Sequence, residues 1–136
     1  MITIVFMTIL LYNTQNGREI MISTKEVGKR IKKIREESGL NQIQVAKFIG
    51  VDQSYISKIE NGERQLRLDL LEKLANLFGY SMTNLMTDNS FDTHLQIAFR
   101  SDEIEIDDLN SISEINKIAL NLQEMRKLVK ENDYER

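Results

Sequence analysis

The stretch Gln42–Asn61, QIQVAKFIGVDQSYISKIEN, decides the fold, because its apolar and small residues fall where two short helices must pack at a steep angle. Read as helix, turn, helix, it puts Val45, Ile49, Val51, Ile56 and Ile59 on one inward face. Ala46 is small enough for the second helix to cross closely, and Gly50 stands where the chain must turn sharply, often through a positive φ that glycine adopts without strain. Asp52 is placed to cap the helix that follows. The opposite face of that helix, Gln53, Ser54, Tyr55, Ser57 and Lys58, is left free to enter a major groove.

On either side of this unit the pattern stays helical. From Thr24, Val27, Ile31 and Ile34 recur at helical spacing and, after a break at Gly39, Leu40 joins them, while Lys25, Lys29, Lys32, Lys33 and Glu36 lie outside. The spacing predicts a second helix from about Gln42 to Ile49 capped by Asn41, and a third from about Gln53 to Asn61 ended by Gly62. A fourth, Leu68 to Phe78, buries Leu70, Leu71, Leu74, Leu77 and Phe78 and stops at Gly79. A short fifth, Met82 to Met86, is capped by Ser81, with Leu85 and Met86 closing the core beneath the first. With no proline and only six glycines in 136 residues, the expected fold is all-α: a five-helix domain over residues 21–87, a linker over 88–101 and a C-terminal helix within 102–136.

The formal net charge of −3 argues weakly against a nucleic-acid partner until it is divided along the chain. Residues 21–65 carry nine Lys/Arg against six Asp/Glu, a net of +3, whereas residues 89–136 carry six against eleven, a net of −5. A basic front and an acidic back suit a DNA-binding module joined to a protein-contact or solvating tail. Two ordinary charged surfaces would give the same division. The absence of cysteine rules out a disulfide framework and a thiolate zinc site, and a cytoplasmic location fits best.

Residues 2–12, ITIVFMTILLY, form an apolar run shorter than the roughly 20 residues that span a bilayer as a helix, so no membrane anchor is expected. No Lys or Arg precedes Arg18 and no Ala-x-Ala follows, which argues against a signal peptide. Two readings of residues 1–20 stay open. They are an added strand or arm, or they reflect a mis-assigned start, since Gly17, Arg18 and Glu19 can be encoded by a purine run resembling a ribosome-binding site ahead of Met21.

In the tail, Asp102, Glu103, Glu105, Asp107 and Asp108 precede a long helical pattern, where anionic side chains stabilise a helix N-terminus. Within it Ile115, Ile118, Leu122, Met125 and Val129 recur at spacings of three, four, three and four, an a/d seam of two and a half heptads. Such a seam is too short for a stable coiled coil alone. It is expected to pack on its own domain, on a second copy or on another protein.

The runs IKKIREESGLNQIQVAKFIGV, SYISKIENGER and LLEKLANLFG with SMTNLM behind them, in this order, resemble the Cro/cI-type helix-turn-helix regulators, the xenobiotic-response-element family, over about residues 24–86. The resemblance implies a lambda-repressor-like helical domain and a transcriptional regulator, most often a repressor, that binds double-stranded DNA as a homodimer. It also implies phosphate contacts from Gln42 and Asn61, base contacts from Gln53, Ser54 and Lys58, and neighbours of the backbone or of a thymine methyl in Tyr55 and Ser57. Arg64, within the matching ENGER run, joins the DNA-facing set. Arg35 and Glu60 occupy the positions of a structural Arg–Glu pair. Leu66 and Arg67 stand where many relatives have Pro and Ser, which puts the cap of the fourth helix in doubt. The tail FRSDEIEIDDLNSISEI is similar to the segment after this domain in repressors and antitoxins encoded beside an ImmA/IrrE-like zinc peptidase. That implies a peptidase as a further partner, against the plainer reading of a solvated helix.

The chemistry of the exposed residues agrees with base reading. Glutamine bonds adenine N6 and N7 together and lysine donates to guanine O6 and N7, so Gln53 and Lys58 suit direct readout. His94, the only histidine, has no cysteine or second histidine for a metal site and no place in a triad, and it reads as a linker residue. The acidic cluster lacks the glycine and alternating ligands of a calcium loop. Met21, Met82, Met86 and Met125 read as adaptable core or interface filler. Nothing supplies a nucleophile with a base, a phosphate-cradling glycine loop or a metal cluster, so neither catalysis nor a cofactor is expected. An antitoxin-like module that mainly binds a peptidase or toxin is the alternative to a DNA reader.

Overall fold

The computed structural model describes residues 23–87 and 104–133, and these form six helices: α1 Thr24–Glu37, α2 Gln42–Ile49, α3 Gln53–Glu60, α4 Leu68–Phe78, α5 Met82–Met86 and α6 Ile106–Asp133. The leader, the whole linker 88–101 and His94 lie outside the described residues. Among the described residues there is no strand, and no helix is long and apolar enough to cross a membrane.

Local chemistry accounts for the helix boundaries. Asn41 and Gln44 form a reciprocal capping box, with the Gln44 N–H donating to Asn41 Oδ1 at 2.8 Å and the Asn41 N–H donating to Gln44 Oε1 at 2.9 Å. Gly50 ends α2 at φ 76°, and a Cβ there would meet open space, so its conformation and not crowding calls for glycine. The expected Asp52 cap differs in detail: its backbone carbonyl accepts from the Tyr55 N–H at 3.0 Å, while its carboxylate makes no capping bond. Ser81 caps α5 as expected, accepting from the Asn84 N–H at 3.1 Å. Arg67 occupies the cap of α4 without a side-chain capping bond and instead pairs with Asp69 at 2.7 Å on an exposed surface, a contact of little weight.

The core is one cluster drawn from all six helices. Ile31, Val45, Ile56, Leu74, Leu77 and Leu85 are fully enclosed, and the inward set Val45, Ala46, Ile49, Ile56 and Ile59 is buried, with Val51 half-buried at its edge. Burying a side chain of this size contributes about 1.5–3 kcal/mol. Arg30 ties α1 to α5 by donating from Nη1 to the Leu85 carbonyl at 3.1 Å.

A second close crossing lies on α1. A Cβ at Gly28 would sit 2.0 Å from the Ile59 carbonyl oxygen, so only glycine lets α1 cross the end of α3 at this depth. The turn after α3 is also tight, because a Cβ at Gly62 would lie 2.7 Å from Lys25 Cα.

The first turns of α6 are part of this unit. Leu109, Ser113 and Asn116 are buried on α4 and α2, with Ile112 half-buried beside them. Asn116 Nδ2 donates to the Leu77 carbonyl at 3.0 Å, satisfying one of the unpaired carbonyls at the C-terminal end of α4. Its Oδ1 is buried without a partner.

Candidate nucleic-acid interface

On α3 the two faces separate cleanly. Ile56, Ile59 and Glu60 point inward, Gln53, Ser54 and Lys58 are exposed, and Tyr55 and Ser57 are half-buried along the boundary. Asn61, in the cap position after α3, is also exposed. The candidate base-reading residues therefore share the solvent face of one eight-residue helix.

That helix is held by a hydrogen-bonded chain running from the core to the surface. Arg35, 7 % exposed, donates from Nε to Glu60 Oε1 at 2.6 Å, from Nη2 to Oε2 at 3.0 Å and from Nη1 to the Leu40 carbonyl at 2.8 Å. Glu60, 4 % exposed, accepts a third bond from Gln42 Nε2 at 2.9 Å. Gln42 Oε1 in turn accepts from Gln53 Nε2 at 3.3 Å. A planar guanidinium matched to a carboxylate by two parallel bonds fixes orientation as well as distance. Its effect passes through Gln42, at the start of α2, to Gln53, at the start of α3.

The free groups at the end of this chain suit DNA. Gln53 uses one amide hydrogen on Gln42 and keeps a second hydrogen and its oxygen, the donor–acceptor pair that adenine requires. The capping box engages the Gln44 N–H, and the N–H groups of Gln42 and Ile43, in the first turn of α2, precede any intrahelical acceptor. A helix start of this kind favours a phosphate. Arg64 lies with its guanidinium 4.6 Å from the centroid of the Tyr55 ring, so the aromatic face orients a cation beside the exposed edge of α3.

Thus Arg35, Glu60, Gln42 and Gln53 are joined by direct contacts, Tyr55 and Arg64 form a separate pair, and Ser54, Ser57, Lys58 and Asn61 line the same helix and its end. Ala46 and Gly50 serve the helix crossing and the turn. The sequence reading missed Gly28 and the Leu40 carbonyl that completes the Arg35 shell. A glycine inside a helical pattern is the one signal that could have flagged Gly28. Among the described residues no group of three His, Cys, Asp or Glu is placed to hold a metal ion.

The family described as Helix-turn-helix matches residues 31–85. The chain is 39% identical over 62 residues to control protein C.MunI of a Mycoplasma species, a match covering 45% of this chain and 84% of that protein. The chain belongs to the Cro/cI-type helix-turn-helix family. Another member, the immunity repressor protein of Bacillus phage phi105, is 32% identical over 91 residues, covering 67% of this chain and 62% of the relative. The HTH-type transcriptional regulator PuuR of Escherichia coli is 29% identical over 77 residues, 57% of this chain. This Cro/cI-type chain spans 42% of PuuR's length.

Proposed function

We propose that this chain is a sequence-specific DNA-binding transcriptional regulator, a repressor, that binds a palindromic operator as a dimer through α3. The observation that carries this reading is the exposed row Gln53, Ser54 and Lys58 on a helix whose opposite face is locked by the buried Arg35–Glu60 pair. Gln53 and Lys58 read base edges. Gln42, Asn61 and the start of α2 hold phosphates, and Arg64 adds a cation steadied by Tyr55. One short helix contacts few base pairs, so two copies on half-sites one helical turn apart supply the affinity. The sign of regulation follows the relative named as an immunity repressor. The protein acts in the cytoplasm, without a cofactor and without catalysis of its own.

Selection from random DNA with the full chain, followed by footprinting across a salt series, tests this. The expected result is an inverted repeat protected on both halves, with affinity falling steeply as salt rises through counterion release. A selected pool without a common motif would overturn the reading.

The exposed apolar seam of α6 favours a second reading, in which the tail holds a zinc peptidase of the ImmA/IrrE type and DNA contact is incidental. Co-purification with the product of the adjacent gene, insensitive to salt, together with an unpatterned DNA pool would select it.

A further inference from the structure

The two sides of α6 are built for different neighbours. Leu109, Ser113 and Asn116 face the domain. At 100° per residue, the seam lies on the roughly opposite side. There Ile115, Ile118, Leu122, Met125, Leu128 and Val129 are 50–61 % exposed. These are six of the eight large apolar side chains exposed among the described residues, the others being Ile43 and Ile106. The apolar surface is thus gathered on one helix face, away from α3.

We infer that this face is covered by the same face of a second copy, the two α6 helices running antiparallel about a two-fold axis between Leu122 and Met125. In this register Leu122 packs on the partner copy's Met125, and Ile118 on its Val129, an a-to-d' arrangement that makes four apolar layers. Burying the exposed parts of six side chains in each copy removes on the order of 1,000 Å² of surface, at the lower limit of a specific interface. The charged residues of 115–132, Lys117, Glu124, Arg126, Lys127, Lys130 and Glu131, all lie off the a/d positions, so the pairing buries none of them. A parallel pair would set Asp107, Asp108 and Glu114 of one helix beside the same residues of the other. The antiparallel pair separates them and opposes the helix dipoles.

The buried anchors Leu109 to Asn116 centre about 11 residues from the axis, so at ~1.5 Å per residue the two anchored segments lie about 33 Å apart along the helix pair, with the two domains on its outer sides. The two-fold axis of the pair matches the two-fold symmetry of an operator made of inverted half-sites. This inference rests on the reading of the chain as a dimeric operator binder, and it names the element that forms the dimer. Because the interface is small, the dimer is concentration-dependent in solution and is tightened by DNA that binds both halves.

The chain has no cysteine, so single cysteines report contacts cleanly. Full-length proteins carrying Ile118→Cys or Val129→Cys are mixed and mildly oxidised. The expected product is the mixed 118–129 disulfide, well in excess of the 118–118 and 129–129 species. Sedimentation of the unmodified full chain is expected to show monomer–dimer exchange, and Leu122→Glu to raise the dissociation constant about 100-fold or more with the helical circular dichroism unchanged. Predominant 118–118 and 129–129 products would overturn the antiparallel arrangement. A dimer without the 118–129 product, or undisturbed by Leu122→Glu, would overturn the use of this face. A chain monomeric at all concentrations, with or without DNA, would overturn the pairing altogether, and a peptidase would then be the occupant to seek. If the 118–129 product and the dimer are both found but no operator is selected, the helix pair stands and the DNA-reading proposal falls.

Discussion

Replacing Glu60 by alanine is expected to be among the most damaging single changes in the domain. The Arg35 guanidinium would lose its bonds at 2.6 and 3.0 Å and keep only the Leu40 carbonyl, with Glu36 at 3.5 Å on the outer side. Gln42 would lose its acceptor at the same time. Removing one partner of a buried ion pair costs about 3–5 kcal/mol, because the charge left behind is neither solvated nor paired. The remaining Leu40 and Glu36 contacts place the expected loss near the lower figure, about 3 kcal/mol. For a folding unit of about 60–100 residues each kcal/mol moves Tm by about 4–8 °C, so Glu60→Ala should melt roughly 12–24 °C lower.

Urea unfolding followed by circular dichroism measures the loss directly, and the same titration on Arg35→Met/Glu60→Leu separates stability from positioning. With both charges gone no buried charge is left unpaired, although the Leu40 carbonyl and the Gln42 amide each lose a partner, and the double variant is expected within about 1 kcal/mol of the unmodified protein. Gln42 then has no carboxylate to fix its amide, so operator affinity should still fall, by roughly tenfold, the worth of one hydrogen bond to a charged group. A cost below about 1 kcal/mol for Glu60→Ala would mean that the pair behaves like an exposed one. Full operator affinity in the double variant would show that the Arg35–Glu60–Gln42 chain does not position the reading surface.

Changing Gln53 or Lys58 to alanine is expected to cost about 1–3 kcal/mol in operator binding and to relax preference at one base pair, whereas Gln42→Ala and Asn61→Ala should weaken all sequences alike. Equal losses on every sequence for Lys58→Ala would remove it from the base-reading set. Gly28→Ala, with its Cβ 2.0 Å from the Ile59 carbonyl, is expected to cost at least about 1–3 kcal/mol and to displace α3, lowering DNA affinity even below the melting range; unchanged stability would refute the close crossing. Leu109→Ala should cost about 2–5 kcal/mol in the full chain, and a neutral result would show that α6 folds apart from α1 to α5.

What was legible in the sequence follows from how local each signal is. The limits of α2, α4 and α5 could be read because Asn41, Gly50, Gly79 and Ser81 act within a few residues of themselves. The Arg35–Glu60 pair came from resemblance, since nothing in the spacing of two residues 25 apart shows that they meet. Gly28 does not stand out in the sequence because a glycine on a helix reads as a weak helix former, and its use depends on the Ile59 carbonyl, which belongs to a different helix. For Gln42 the resemblance implies a phosphate contact only. Its second use, as the link between Glu60 and Gln53, depends on side-chain directions that the order of residues does not contain.

The tail shows the same limit from the other side. An a/d seam stands out in the sequence because its five residues are all apolar, but the face that docks on α4 includes Ser113 and Asn116, so its apolar signal is diluted and periodicity does not find it. Asn116 explains why that face tolerates polarity. Its Nδ2 supplies the hydrogen bond that the Leu77 carbonyl lacks at the end of α4. A leucine in its place would bury more apolar area but leave that carbonyl unpaired. The buried and partnerless Oδ1 is the cost of this arrangement, while the Nδ2 bond to Leu77 favours the docking of α6 in which it forms. Fixing the helix in this way fixes the direction of its far half as well. A seam used for pairing two copies must project from the domain at a constant angle if two α3 helices are to meet successive turns of DNA. If the seam pairs two copies as proposed, the polar anchor at residue 116 sets where the apolar stripe from 115 to 129 points.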